Sequence, residues 1–157
     1  MEENLFRHIV KGIAVILCVL FFVMPLVKCS QDSSINATGW EIFTGTGKLF
    51  EDKDDTYNGY PFVLMLLLIP VILLVIGINK GTCSVLRNIS IIGFFAQCIF
   101  MIVTQMKLKN SDLKGPVELT SLNWLVLILH CIVIALMQYC INIVKRLPAP
   151  AAKSSED

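Results

Sequence analysis

Residues 61–78, PFVLMLLLIPVILLVIGI, form the most uniformly apolar segment of the chain and carry no charge. A helix needs about 20 apolar residues to cross the hydrocarbon layer of a bilayer. A buried helix of a soluble protein is usually shorter or keeps a polar face. The stretch therefore predicts a transmembrane helix over residues 61–78.

Three further apolar stretches lie at residues 9–27, 85–106 and 122–144. The first of them is interrupted only by Lys11 near its start and by Pro25 near its end. Lipid offers no hydrogen-bond partners, so each stretch is expected to satisfy its own backbone as a helix. The predicted fold class is all-α, a four-helix transmembrane bundle.

Composition supports the same class, since 55% of the 157 residues are hydrophobic, 16% are charged, and the mean hydropathy is +0.73. The net charge of +1 is far from the basic profile that binding to nucleic acid needs, which excludes that partner and leaves the lipid bilayer. We expect one membrane domain over residues 1–146, with an external loop at 28–60, and a disordered cytoplasmic tail at 147–157.

The orientation follows from the basic residues, which collect at the cytoplasmic ends of membrane helices. Three loops or termini favour a cytoplasmic location for both ends of the chain, through Arg7, Lys11, Lys80, Arg87, Lys145 and Arg146. The third loop, with Lys107, Lys109 and Lys114, argues the other way. We predict a multi-pass protein of the cytoplasmic membrane with both termini in the cytoplasm.

The first stretch also has some features of a cleavable signal. Arg7 and Lys11 precede its apolar run, and Cys29 follows it. However, the run is longer than a normal signal core and no small-x-small cleavage site follows. We expect the first span to be retained as a membrane anchor.

The six cysteines predict no intramolecular disulfide framework. Cys29 and Cys83 fall on opposite sides of the bilayer in either orientation. The other four lie within spans, where thiols commonly act as small apolar fillers: Cys18, Cys98, Cys131 and Cys140. A Cys29–Cys29 link between two copies is the alternative.

The external loop contains two short apolar runs around Gly45-Thr46-Gly47. Glycine permits the positive φ of a tight turn, so the pattern predicts a small β-hairpin. Its large apolar side chains are expected to contact the helix ends or the lipid headgroups: Trp40, Phe43, Leu49 and Phe50. We favour a packed lid over a ligand-binding loop.

Two segments of this region carry a family resemblance, MPLVKCS at residues 24–30 and TGWEIFTG at residues 38–45. They resemble small uncharacterised bacterial membrane proteins in which the first span ends in proline and cysteine, followed by a Thr-Gly-x5-Gly segment. The resemblance implies a bacterial cytoplasmic-membrane protein and brings no activity. Claudin-like four-span proteins match less well, because Cys29 has no second external cysteine.

A few polar residues enter the third and fourth spans. Ser90, Gly93 and Gln97 share one helical face by their i, i+3, i+7 spacing, and His130 and Gln138 lie in the next span. We expect these five residues to form a helix–helix interface, with Gly93 allowing close approach and Gln97 bonded to His130. The functional alternative makes His130 a proton relay or a ligand site.

Catalytic signatures are absent from the sequence, which has no HExxH pair, GxSxG elbow, P-loop or CxxC motif. No acidic residue lies in any predicted span. We therefore predict a protein that is not an enzyme and uses no cofactor or metal. Its expected role is an interaction or accessory subunit of a membrane complex, with a protein partner or self-association. The alternative is a homo-oligomeric channel or small transporter whose pore is lined by Gln97, Gln105, His130 and Gln138.

Overall fold

A computed structural model describes residues 2–29, 34–46, 60–79, 81–109 and 117–146. This part of the chain is mostly helical and carries one small antiparallel sheet. Its helices are α1 (Glu2–Val23), α2 (Gly39–Thr44), a 3-10 turn (Pro61–Val63) that leads into α3 (Leu64–Val75), α4 (Cys83–Lys109) and α5 (Leu122–Arg146). Its strands are β1 (Pro25–Cys29), β2 (Asn36–Thr38) and β3 (Val117–Leu119).

Three helices within the described residues are long and apolar enough to cross a membrane, over Leu5–Val23, Cys83–Met106 and Leu122–Ile143. The spans predicted at residues 9–27, 85–106 and 122–144 overlap them. Large apolar side chains are exposed on all three, which is the surface expected in lipid and not in water. The chain is thus a membrane protein.

The most uniformly apolar segment, residues 61–78, contains a shorter apolar helix, Pro61–Val75. The helix predicted over residues 61–78 ends three residues early, because Ile76 adopts an extended backbone. A turn beyond it holds the chain in this path. The Asn79 side chain accepts the N–H groups of Gly81 and Thr82, both at 3.0 Å, and the Thr82 hydroxyl donates to Gly77 O at 2.7 Å.

The four longer helices form a bundle in which α1 packs against α3 and α5, and α4 packs against α3 and α5. The α4–α5 contact is the most extensive. Its seam follows a heptad rhythm, the spacing of left-handed helix packing. The buried seam positions of α4 are Cys83, Leu86, Ser90, Gly93, Gln97, Phe100 and Thr104, and those of α5 are Asn123, Val126, His130, Val133 and Met137; Leu127 of α5 is buried beside them.

The first helix, α1, ends before the C-terminal end of the span predicted at residues 9–27. It ends at Val23, and β1 begins at Pro25. Proline has no N–H to donate and disfavours a helical backbone in the residue before it, here Met24. The chain therefore leaves the helix as a strand, which lies at the centre of the sheet in the order β2-β1-β3.

The hairpin predicted around Gly45-Thr46-Gly47 is wrong where the structure describes it, because residues 39–44 form α2. Thr38 and Glu41 make a capping box: the Glu41 N–H donates to Thr38 Oγ1 at 3.2 Å, and the Thr38 N–H donates to Glu41 Oε2 at 2.8 Å. Gly45, at φ 72°, ends the helix in the left-handed conformation. Thr-x-x-Glu is a helix-start signal, and it outweighs the glycine turn. The rest of the predicted hairpin, residues 47–50, lies outside the described residues.

We expect Thr38→Ala to lower the free energy of unfolding by about 1 kcal/mol, the usual effect of removing an N-cap side chain. Denaturant unfolding in mixed micelles would measure it. Thr46→Ala is the matched control, since that exposed hydroxyl bonds only Thr44 in the described structure. An equal effect of both variants would show that the capping box does not stabilise α2.

Candidate functional site

The candidate site is a group of polar side chains buried where α4, α5 and the sheet meet. Asn123 is fully buried, Gln97 is 1% exposed and His130 is 3% exposed. The heptad rhythm of each helix turns these residues inward. Polar groups in such a place must find partners within the protein, because neither water nor lipid can supply them.

Asn123 is the centre of this group. The Gln97 Nε2 donates to Asn123 Oδ1 at 2.9 Å, which joins α4 to α5. The Asn123 Nδ2 donates to Leu26 O at 2.7 Å and to Thr120 O at 3.0 Å. One side chain therefore holds together two long helices and the central strand β1.

Thr120 completes the attachment of the sheet. Its hydroxyl donates to Pro25 O at 2.7 Å, and its backbone N–H donates to Leu26 O at 3.1 Å. Pro25 and Leu26 thus give their carbonyls to the N-terminal end of α5. We define the Asn123 clasp as Gln97, Asn123, Thr120 and the carbonyls of Pro25 and Leu26.

His130 lies farther along the same seam, toward the end opposite the sheet. Its Nδ1 lies 2.9 Å from the carbonyl of Val126, one turn earlier in α5, and donates to it. The imidazole edge fills the space beside Gly93. A Cβ at Gly93 would lie 2.6 Å from His130 Cδ2 and 2.9 Å from Ile69 Cγ2. Only glycine leaves room for the ring in this arrangement.

The expected bond between Gln97 and His130 is absent from the described structure, in which Gln97 bonds Asn123 and His130 bonds Val126 O. The prediction aligned the centres of the two spans. In the structure Gly93 faces His130, so the pairing is offset by four residues, about 6 Å or one helical turn. In this register α4 also contacts β3, the strand that precedes α5.

The remaining polar residues of the two spans lie apart from each other. Gln138 accepts from Arg87 Nη1 at 2.8 Å and donates to Asn142 Oδ1 at 3.1 Å, near the other end of the bundle. Ser90 is fully buried, and its hydroxyl has no hydrogen-bond partner within the described residues. Gln105 is exposed. The five predicted interface residues therefore follow one seam without forming one connected network.

Of the four loop residues predicted to contact the helix ends or the lipid headgroups, the structure describes Trp40 and Phe43. Trp40 is exposed and stacks between two phenylalanines, with ring centroids 5.7 Å from Phe22 and 5.5 Å from Phe43. Phe43 also packs against the buried cluster beneath the sheet. Leu49 and Phe50 lie outside the described residues. Cys29 is buried in β1, which disfavours a Cys29–Cys29 link between copies.

Sequence reasoning missed Asn123 and Thr120. The signal was present, because Asn123 precedes His130 by one heptad and so shares its helical face. It also missed Arg87 as a partner of Gln138 and the approach of Cys83 to Cys140. These contacts join residues that are 51 and 57 positions apart. They depend on the register of α4 against α5, which no local pattern specifies.

Two of the openings at the surface of the described structure bear on function. One, of about 340 Å³, lies at the end of the bundle opposite the sheet and is lined by Arg7, His8, Lys11, Gly77, Ile78 and Asn79. The other, of about 430 Å³, is an apolar groove on the outer side of α3 and α4. We call it the α3/α4 groove, lined by Phe62, Met65, Ile92, Phe95, Ala96, Ile99 and Val103. Within the described residues, no group of three or more His, Cys, Asp or Glu side chains could hold a metal ion.

Comparison of the chain with protein-family models, with curated protein sequences and with solved structures found no match.

Proposed function

We propose that the protein crosses a bacterial cytoplasmic membrane four times, with both termini in the cytoplasm. The 15 residues from Pro61 to Val75 rise about 22 Å as a helix, and residues 76–78 can add up to about 10 Å. Their sum matches the roughly 30 Å of a hydrocarbon core. The second span is then part helix and part extended chain.

Several features at the two ends of the bundle support this topology. Trp40 and Trp124 are exposed at the sheet end, the position that tryptophan prefers at a membrane interface. The opening lined by Arg7, His8 and Lys11 lies at the other end, where the positive-inside rule expects cations. The sheet end would accordingly face the outside.

Within this membrane we propose that the protein acts as an interaction or accessory subunit, whose partner contributes an apolar transmembrane helix. The observation that carries the proposal is the division of the side chains of α4 between two faces. Its buried face holds Ser90, Gln97 and Thr104. Its outer face exposes a second heptad-spaced row that is apolar from Ile92 onward, after the exposed Asn88: Ile92, Phe95, Ile99, Ile102 and Met106.

The α3/α4 groove interrupts the outer surface beside this row. Its lining is entirely apolar, and Ala96 at its floor lets a neighbouring helix approach closely. Helices associate in lipid mainly through packing, so a concave apolar surface favours a partner helix. The groove is the surface through which we propose that the subunit binds.

The same burial disfavours the homo-oligomeric pore. A pore needs its polar residues to face a symmetry axis shared by several copies. Gln97 and His130 instead point into one protomer, and Gln138 bonds Arg87 of the same chain. Of the four residues proposed to line a pore, Gln105 alone is exposed.

The test begins with the complex extracted gently from its own host membrane, whose mass is measured by light scattering and whose contents are identified by mass spectrometry. We expect a second membrane protein in fixed proportion. Ile99→Trp, which fills the groove, is expected to reduce its recovery at least tenfold. Ile128→Trp on α5 is the matched control, because both isoleucines are 55% exposed. A ring of identical chains, or equal recovery with both variants, would contradict the proposal.

A further inference from the structure

Two cysteines meet at the end of the α4–α5 seam opposite the sheet. The Sγ atoms of Cys83 and Cys140 lie 2.7 Å apart, although the residues are 57 positions apart in the chain. We propose that these two cysteines are a redox-active pair, which a small-molecule disulfide converts from two thiols to one disulfide between α4 and α5.

The local structure holds Cys83 in place for this reaction. It is the first residue of α4 and is fully buried. Its thiol donates to Asn79 O at 3.2 Å, and its backbone N–H donates to the same carbonyl at 3.2 Å. Asn79 is itself fixed by the turn that its side chain makes with Gly81 and Thr82.

Cys140 is the cysteine of the pair that a small reagent would meet first. It is half-buried, whereas Cys83 is fully buried. The two sulfurs need only a small closing movement to reach the 2.03–2.05 Å typical of a disulfide bond.

The difference in access gives the order of the chemical steps. The Cys140 thiolate, formed by loss of its proton to solvent, attacks one sulfur of the external disulfide, and one thiolate leaves. The Cys83 thiol gives its proton to the first released thiolate, its sulfur attacks the Cys140 sulfur of the mixed disulfide, and the second thiolate leaves. Both released thiolates take up protons. In total, the two cysteines lose two electrons and two protons, and the external disulfide gains them as two thiols.

The location suggests when the pair would be oxidised. On the topology proposed above, this end of the bundle faces the cytoplasm, where thiols are normally kept reduced. The pair would then be a dithiol at rest and a cross-link when the thiol pool becomes oxidised. The cross-link would fix the register of α4 against α5, the seam that also carries the Asn123 clasp.

The experiment uses the full-length protein, purified in detergent and treated with glutathione disulfide. After denaturation, the remaining thiols are counted by maleimide labelling and mass spectrometry. We expect the wild type, with six cysteines, to keep four thiols as a monomer, and proteolysis to give a peptide that joins Cys83 to Cys140. Dithiothreitol should restore all six.

Three variants make the result specific. Cys83→Ser and Cys140→Ser are expected to form no internal disulfide, and a serine hydroxyl at position 83 can still donate to Asn79 O, which favours normal folding. Cys131→Ser, in the exposed part of α5, is the control and should still lose two thiols. Six free thiols in the treated wild type, or a disulfide between any other pair, would overturn the proposal. The outcome is independent of whether the α3/α4 groove binds a partner.

Discussion

Replacing Gly93 with alanine is expected to lower the free energy of unfolding by about 1–3 kcal/mol, the usual cost of adding atoms to a packed interior. The new Cβ would lie 2.6 Å from His130 Cδ2 and 2.9 Å from Ile69 Cγ2, closer than packed carbons approach. Neither neighbour moves freely. The imidazole is held by Val126 O, and Ile69 is buried in the core between α1, α3 and α5.

Gly12→Ala is the matched control for this substitution. A Cβ at Gly12 would meet nothing within 4 Å, and the residue lies on the exposed side of α1. Alanine in an open helical position should be neutral or stabilising by up to about 1 kcal/mol. Denaturant unfolding in mixed micelles compares the two variants directly.

The double variant Gly93→Ala/His130→Ala assigns the effect to the imidazole. His130→Ala alone is expected to destabilise through the space that it leaves. In the double variant, the new methyl group occupies the space left by the imidazole. The double variant should therefore lose less stability than the two single variants together, by about 1 kcal/mol or more. Strictly additive effects would show that the two residues do not compete for the same space.

The sequence was sufficient to identify the membrane class and most of the helices, because a run of apolar residues is a local property. The three stretches at residues 9–27, 85–106 and 122–144 each overlap a long helix. Where the bounds differ, the cause is also local. Pro25 ends α1 early, and Thr38 with Glu41 starts α2 where glycines had suggested a turn.

The sheet could not have been predicted in the same way. Its central strand β1 pairs Val27 with Ala37 on one side and with Leu119 on the other. Leu119 lies three helices farther along the chain, after α2, α3 and α4. Such a pairing depends on how the bundle brings the strands together, and β2 and β3 are each only three residues long. Alternation over three residues carries no signal in a sequence.

The sequence predicted which α4 residues of the candidate site share a buried face, but not which residues form hydrogen bonds with each other. The i, i+3, i+7 spacing indicated that Ser90, Gly93 and Gln97 share a face, and all three are buried. To identify the polar partner of Gln97, the depth of each helix in the bundle had to be known to within one helical turn. Helix length and the sheet beneath α5 set that depth, so the polar partner of Gln97 is Asn123.

Replacing Asn123 with leucine is expected to have the largest effect on stability of any polar substitution in the bundle, lowering the free energy of unfolding by about 3 kcal/mol or more. The Asn123 side chain makes hydrogen bonds to Gln97, Leu26 and Thr120, each worth about 0.6–2 kcal/mol between membrane helices. Leucine makes none of them. It also leaves the Gln97 amide without a partner in a buried place, which costs about 1–3 kcal/mol more than the lost bond suggests.

The matched control is Gln105→Leu, which also replaces a polar side chain of a span with leucine but at an exposed position. Gln105→Leu should leave the free energy of unfolding unchanged, or raise it slightly in lipid. Unfolding in mixed micelles gives both values. A loss at Gln105 equal to that at Asn123 would mean that the effect comes from the added leucine and not from the clasp.

Adding Gln97→Leu to Asn123→Leu separates the cost of the orphaned amide from that of the sheet attachment. With both amides replaced, the Gln97 amide is no longer left without its partner, so the double variant should be more stable than the sum of the single losses predicts. The bonds from Asn123 to Leu26 O and Thr120 O are still lost. Hydrogen exchange should therefore remain faster than in the wild type at β1, while α4 and α5 regain protection. Recovery of β1 as well would show that the sheet is held by Thr120 alone, whose hydroxyl and N–H also bond the carbonyls of Pro25 and Leu26.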